Sequence, residues 1–317
     1  MSIDRVATST QSAYLASQVM QASSNLDNTQ AQVASGLTST TYAGIGDKTA
    51  ALEAARSAGA RTDAYQAATT LASNQANLQD TQLTSLSDLA NQWRQDVTTA
   101  LGNGDGSTLT TDAQSILDQA NTILNSKDAN GNYLYGGDKN TTPPVTATTL
   151  ADLQALPSAS AAFANGTVAS SVRISDGQTV QVGVLASDAG TQLLQSLKDV
   201  ADFNAGPDGN FGTSLTTAQS TFLSGAISSA TDAATAVNSV AASNGAVYQQ
   251  LQDASSTQTS MSTLYQGFVS DIQNVDMSTA ITNLNQNQVA LQAALQVTSQ
   301  LNQISLLNYL SPATSSG

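Results

Sequence analysis

The 317-residue chain carries nine Lys or Arg against 23 acidic residues, a formal net charge of −14. That balance excludes nucleic acid as a partner and disfavours an anionic membrane surface, since both require clustered basic side chains. Cys and His are both absent, which removes disulfides, thiolate chemistry, Ser-His-Asp triads and the usual zinc ligands.

The N-terminal residues contain no apolar block long enough for a signal peptide, and no segment of the chain reaches membrane-spanning length. The spacing predicts a first helix over residues 8–34. Leu15, Val19, Leu26 and Val33 form a coiled-coil-like stripe, with Ala22 and Thr29 interleaved. Gly36 is the expected C-terminal stop. Residues 38–47, with Gly44 and Gly46, read as irregular. A second helix is expected from Lys48 to Leu101, with Leu86, Leu89, Trp93, Val97 and Ala100 on one face. It is ended by the glycine cluster at residues 102–106. A third helix is expected to be capped near Thr111, with Gln114 in the capping-box position.

The middle changes character. Tyr133-Leu134-Tyr135 reads as a short β-like piece among Gly and Pro turns. Val172 and Ile174 alternate with polar residues up to Asp176-Gly177, and Val180, Val182 and Val184 alternate after it, which predicts a hairpin. A helix follows with Leu193, Leu194, Leu197 and Val200. A long helical stretch is then expected over residues 214–271, through Phe222, Ala226, Ala230, Val237, Val240, Val247 and Leu251. Asp276 is the expected N-cap of a last helix.

From Met277 to Gly317 there is no Asp, Glu, Lys or Arg. Leu284, Leu291 and Leu295 repeat at helical spacing, and Leu301, Ile304 and Leu307 continue a second apolar row with Val297. The intervening positions are Asn, Gln, Ser and Thr. A surface helix normally shows water a charged face. These uncharged polar groups can instead hydrogen-bond to a neighbouring chain without the cost of desolvating a charge. The end helices are therefore read as assembly elements. Their interface would comprise Leu15, Val19, Leu26, Val33, Leu284, Leu291, Leu295, Leu301, Ile304 and Leu307. The stripes of the interior helices are read as ordinary core.

No catalytic, cofactor or metal site emerges. Asp128, Asn130 and Asn132 have the spacing of a calcium loop, but Tyr133 stands where that pattern needs Gly and Lys139 where it needs Glu. Turn chemistry accounts for them. The glycine-rich residues 102–106 lack a phosphate-loop Lys. No pair of Asp residues stands out as a glycosidase-like acid and base.

The ends and the middle together resemble the bacterial flagellin family. The carrying segments are Gln32-Val33-Ala34-Ser35-Gly36-Leu37, and Asp276-Met277 followed by Leu284, Gln288, Leu291-Gln292-Ala293 and Leu295. Tyr133-Leu134-Tyr135-Gly136-Gly137 with Thr141-Thr142-Pro143-Pro144-Val145, and Ser305-Leu306-Leu307-Asn308-Tyr309-Leu310, are most similar to the hook–filament junction branch. Residues 38–47 depart from the family pattern, so no contacts are carried over to them.

The resemblance implies a structural, non-enzymatic flagellar subunit, extracellular and exported through the type III channel without a cleaved signal peptide. Its partners would be further copies of itself, adjacent hook-associated or flagellin subunits, and an export chaperone. Cofactor, nucleic acid and membrane insertion are not expected. The alternatives are a bulk filament flagellin, or a flagellin-like surface protein that binds polysaccharide or acts as an adhesin.

The expected fold is mainly α with an inserted α+β domain, the N- and C-terminal regions forming a long antiparallel helical bundle or coiled coil. Residues 1–37 and 277–317 would be the terminal assembly domain. Residues 38–130 and 214–276 would be a helical bundle, and residues 131–213 an outward-facing insert. Alone in solution the terminal helices should be largely disordered, ordering as neighbours cover them.

Overall fold

The computed structural model describes the backbone of residues 2–310 and the side chains of residues 10–303. Among the described residues seven α-helices and one hairpin follow in order. They are α1 (Ser2–Ser35), α2 (Thr49–Asn103), α3 (Leu109–Leu124), α4 (Leu150–Ala155), β1 (Ser171–Ser175), β2 (Gln178–Gln181), α5 (Ala186–Ala205), α6 (Thr217–Gln273) and α7 (Met277–Leu310). The mainly helical class with a small inserted sheet is as expected. Contacts divide the chain into two units, one of residues 1–60 and 262–317, the other of residues 61–261.

In the second unit, α2 turns inward a stripe of alternating three- and four-residue steps. Its buried members are Thr69, Ala72, Ala76, Gln79, Leu83, Leu86, Ala90, Trp93, Val97 and Ala100. On α6 the same steps run through Leu223, Ala226, Ala230, Ala233, Val237, Asn244, Leu251 and Gln258. A 3.5-residue repeat keeps one face of a long helix against its partner. Leu109, Ile116, Leu117 and Leu124 of α3 and Leu193, Leu194, Leu197 and Val200 of α5 complete one core with Leu83, Trp93 and Leu223. The Trp93 indole N–H donates to the Ser196 hydroxyl at 2.8 Å, so the largest buried side chain is also satisfied.

The predicted hairpin is present. β1 and β2 pair antiparallel around Asp176-Gly177, with a register shift between Arg173 and Ser175 and Gly177 at φ 81°. That left-handed backbone is why glycine is needed there. Ile174, Val180 and Val182 face a small second core with Ala72, Ala76 and Leu251.

Tyr133-Leu134-Tyr135 forms no strand. It makes a single bridge, between Lys127 and Tyr133, and sends the Tyr135 ring into the main core. Burial pushes the Tyr135 phenol well above its usual pKa. The expected cap at Thr111 is also corrected. The N-cap position is Thr108, three residues earlier, and Gln114 accepts from the Leu150 N–H (2.9 Å) and donates to Asp118 (2.7 Å). The capping box lies on α4, where the Thr149 hydroxyl and the Asp152 carboxylate exchange bonds with each other's N–H groups.

In the first unit, α1 ends where expected. The Gly36 N–H donates to the Gln32 carbonyl at 2.8 Å with Gly36 at φ 72°, the left-handed C-cap arrangement. Residues 38–48 are irregular apart from two short 3-10 turns, Tyr42–Gly44 and Gly46–Lys48. The Tyr42 hydroxyl donates to Glu53 at 2.8 Å and receives a bond from Arg56.

Candidate assembly interface

α1 and α7 pack against each other in one chain. They run antiparallel: Leu37 bridges Asn274 at one end, and further along Asn287 meets Asn25. On α1 the residues turned from solvent include Leu15, Val19, Ala22, Leu26, Thr29 and Val33. On α7 they include Ala280, Leu284, Asn287, Leu291, Ala294, Thr298 and Leu301. Both sets step by three and four, the spacing of a coiled-coil seam.

The seam has a polar centre. The Asn287 side-chain N–H donates at 3.3 Å to both the Asn25 carbonyl and the Thr29 hydroxyl, and Thr29 is itself 8% exposed. A polar group at one such position fixes register, because slipping the helices would bury it unpaired. At the end of the pair a clasp sets the entry of both helices. The Thr38 N–H donates to the Gln273 carbonyl at 2.7 Å and the Val275 N–H to the Gly36 carbonyl at 3.0 Å. Asp276 caps α7 as expected, its carboxylate accepting from the Ser278 N–H at 2.9 Å and the Thr279 hydroxyl at 3.0 Å. Those bonds hold the Asp276 carboxyl below the usual range, the Thr279 hydroxyl contributing most.

The expected interface residues therefore fall into three groups. Leu15, Val19, Leu26, Val33, Leu284, Leu291 and Leu301 are half-buried and lie on the seam between α1 and α7. Leu295 is off the seam and 51% exposed. Ile304 and Leu307 lie outside the residues whose side chains are described.

Sequence reading by Leu and Val spacing missed the seam's small and polar members, Ala280, Asn287, Ala294 and Thr298. The three-and-four stepping was there to be read, once polar residues were admitted to it. Of the outward apolar side chains the sequence reading named Leu295 and, in a second apolar row, Val297, but not the others. Tyr14 and Met20 on α1, and Met277, Ile281, Val289, Leu295 and Val297 on α7, are all exposed apolar side chains. Between α7's apolar positions stand only uncharged polar residues. Such a surface can be covered by another chain without burying any charge.

The Asp128 loop shows turn chemistry. Its carboxylate accepts from the Asn130 N–H at 2.8 Å and the Asn132 N–H at 2.9 Å. Among the described residues no group of three or more acidic side chains is placed to hold a metal ion. No helix there is long and apolar enough to cross a membrane.

Residues 227–310, which take in most of α6 and all of α7, match the model of the bacterial flagellin C-terminal helical region. No curated protein matches the sequence. Among solved structures the chain is similar to a protein of Vibrio parahaemolyticus assigned as a flagellar hook-associated protein. Identity is 15%, coverage is 71% of this chain and 97% of that one, and the TM-score is 0.58. At that identity the likeness shows a shared fold. FlgL of Bacillus cereus also matches, at 13% identity, 63% and 98% coverage and a TM-score of 0.48.

Proposed function

We propose that this chain is a structural subunit of the bacterial flagellum that assembles through α1 and α7 at the hook–filament junction. The observation that carries the reading is the exposed apolar face of an uncharged α7, within a segment that matches the flagellin C-terminal region. α1 and α7 satisfy each other along one seam, and their outer faces are left for neighbouring subunits. Burying a Leu fully contributes about 1.5–3 kcal/mol. Several such residues in every subunit offset the cost of ordering two long helices. Contacts that repeat head to tail without closing a ring give an open helical tube.

On this reading residues 1–37 and 277–317 are the assembly domain, and residues 131–213 take no part in it. The subunit works outside the cell, reaching the flagellum through the export channel without a cleaved signal, with an export chaperone and adjacent flagellar subunits as partners. Its role is structural. No pair among its many Asp residues stands out as a tuned acid and base.

Two substitutions separate the seam from the outer face. Leu295→Asp places a charge on the outer face, so the monomer should keep its helical content and thermal midpoint yet fail to form tubes in electron micrographs. Leu291→Asp places one in the seam and should lower both helical content and assembly. Normal tubes from Leu295→Asp would overturn the proposal.

A further inference from the structure

We infer that Asn103, at the C-terminal end of α2, is the chain's primary site of spontaneous deamidation, the carbonyl carbon of its side-chain amide being attacked by the backbone nitrogen of Gly104. Four Asn-Gly pairs occur, at Asn103, Asn130, Asn165 and Asn244. Sequence alone does not rank them, because Gly after Asn removes the steric barrier to attack in every case. The structure ranks them by what holds the two reacting groups.

Asn244 is 3% exposed inside α6 and donates to the Ala76 carbonyl at 2.8 Å, which locks its side chain. Asn165 is latched twice to Ser187, donating to its hydroxyl (3.1 Å) and accepting from its N–H (3.2 Å). The Gly166 nitrogen that would attack is engaged with the Gly136 carbonyl at 2.8 Å. Asn130 is exposed, but its turn is braced on both sides of the attacking nitrogen. The Asn130 and Asn132 N–H groups both bond Asp128, and the Gly131 N–H donates to the Asp128 carbonyl at 3.0 Å.

Asn103 differs on each count. It is exposed, it is the last residue of α2, and it has glycine on both sides, Gly102 and Gly104. The Gly104 nitrogen holds only a 3.3 Å bond to the Leu101 carbonyl, the longest made by the three candidate nucleophiles outside helix interiors, Gly104, Gly131 and Gly166. Gly102 lowers the helix propensity of that final turn, and helix ends open more readily than interiors. Once the turn opens, the Gly104 nitrogen loses its proton to solvent base and bonds to Cγ of Asn103, and the Cγ–Nδ2 bond breaks with release of ammonia. Water then opens the five-membered imide at either carbonyl, leaving Asp or isoaspartate.

The product changes the joint it sits in. A carboxylate appears at the negative end of the α2 dipole, two residues from Asp105. Isoaspartate also adds a methylene to the backbone between two bonds, from the Asp105 N–H to the Ala100 carbonyl (3.0 Å) and from the Leu215 N–H to the Gly104 carbonyl (2.9 Å).

The test is incubation of the folded full-length chain at mildly alkaline pH in isotopically heavy water. Peptide mass spectrometry with an isoaspartate-sensitive fragmentation method then follows all four sites. The expected result is conversion at Asn103 first, about tenfold or more faster than at Asn165 and Asn244. In denaturant the four rates should converge. Asn103→Ser should remove the leading product without speeding the other sites. Conversion led by Asn130, Asn165 or Asn244, or the same ranking in denaturant as in buffer, would overturn the assignment.

Discussion

Side-chain amides do in this protein much of what ion pairs do elsewhere. Gln79 donates to the Leu134 carbonyl at 3.0 Å. Asn121 donates to Ala147 (2.9 Å), Gln154 to Ala201 (2.6 Å) and Gln258 to Ile174 (2.7 Å). Asn125 both donates to and accepts from Val145. Each amide ties a helix to the backbone of another segment and holds its place without any desolvated charge. Carboxylates serve the turns and caps. The Ser107 hydroxyl and N–H hold Asp105 below the usual range. Burial raises Asp128, but the Asn132 and Asn130 N–H groups outweigh it, and the Thr149 and Thr148 N–H and hydroxyl groups lower Asp152. Asp96 moves the other way, raised by burial.

A carboxyl lowered in the folded state stabilises fully above its unfolded pKa. That contribution is lost as pH falls through the lower folded value. With four of five shifted Asp residues lowered and no His to titrate, thermal stability should stay nearly flat between about pH 5 and 8. It should fall below about pH 4. Calorimetry across that range checks this, and a step near neutrality would contradict it.

At the scale of the element, long helices keep their faces because their stripes never leave the three-and-four rhythm. Gly36 then ends α1 at the one backbone shape that lets the clasp form. An added Cβ at Gly36 meets nothing within 4 Å, but φ 72° is unfavourable for any residue with a side chain. Gly36→Ala should therefore cost about 1–2 kcal/mol through the backbone alone, read as a lower unfolding midpoint of the α1–α7 pair with α3 and α5 unaffected.

Most of this architecture was legible in advance. The Gly36 stop, the Asp276 cap and the Asp-Gly hairpin each rest on local chemistry that a sequence displays. The failures have a physical pattern. Thr111 and Gln114 satisfied a capping rule, yet Gln114 found better partners in a segment 36 residues away, at Leu150. Tyr133-Leu134-Tyr135 has strand propensity, but Leu134 and Tyr135 are both taken up by the main core and no ladder forms. Leu295 shares the spacing of Leu284 and Leu291, and only the geometry of the α1 partner shows that it faces away. Long-range competition is what a local pattern leaves out.

For the whole molecule, the central claim is that α1 and α7 are half-satisfied: paired along one seam, with exposed apolar side chains turned away from it and no charge anywhere on α7. A net charge of −14 keeps free subunits apart in solution. The Met277–Leu310 helix, free of charge, lets them meet without electrostatic cost. This predicts a helical pair of low local stability in the free subunit, and a separately stable core built on Trp93, Leu117 and Leu197. Hydrogen exchange on the dilute monomer and on assembled tubes measures that directly. The amides of α7 between Ala280 and Leu301 should exchange quickly in the monomer and slowly in the tube, while those around Trp93 stay slow in both. Equal protection of α7 in the two states would contradict the account.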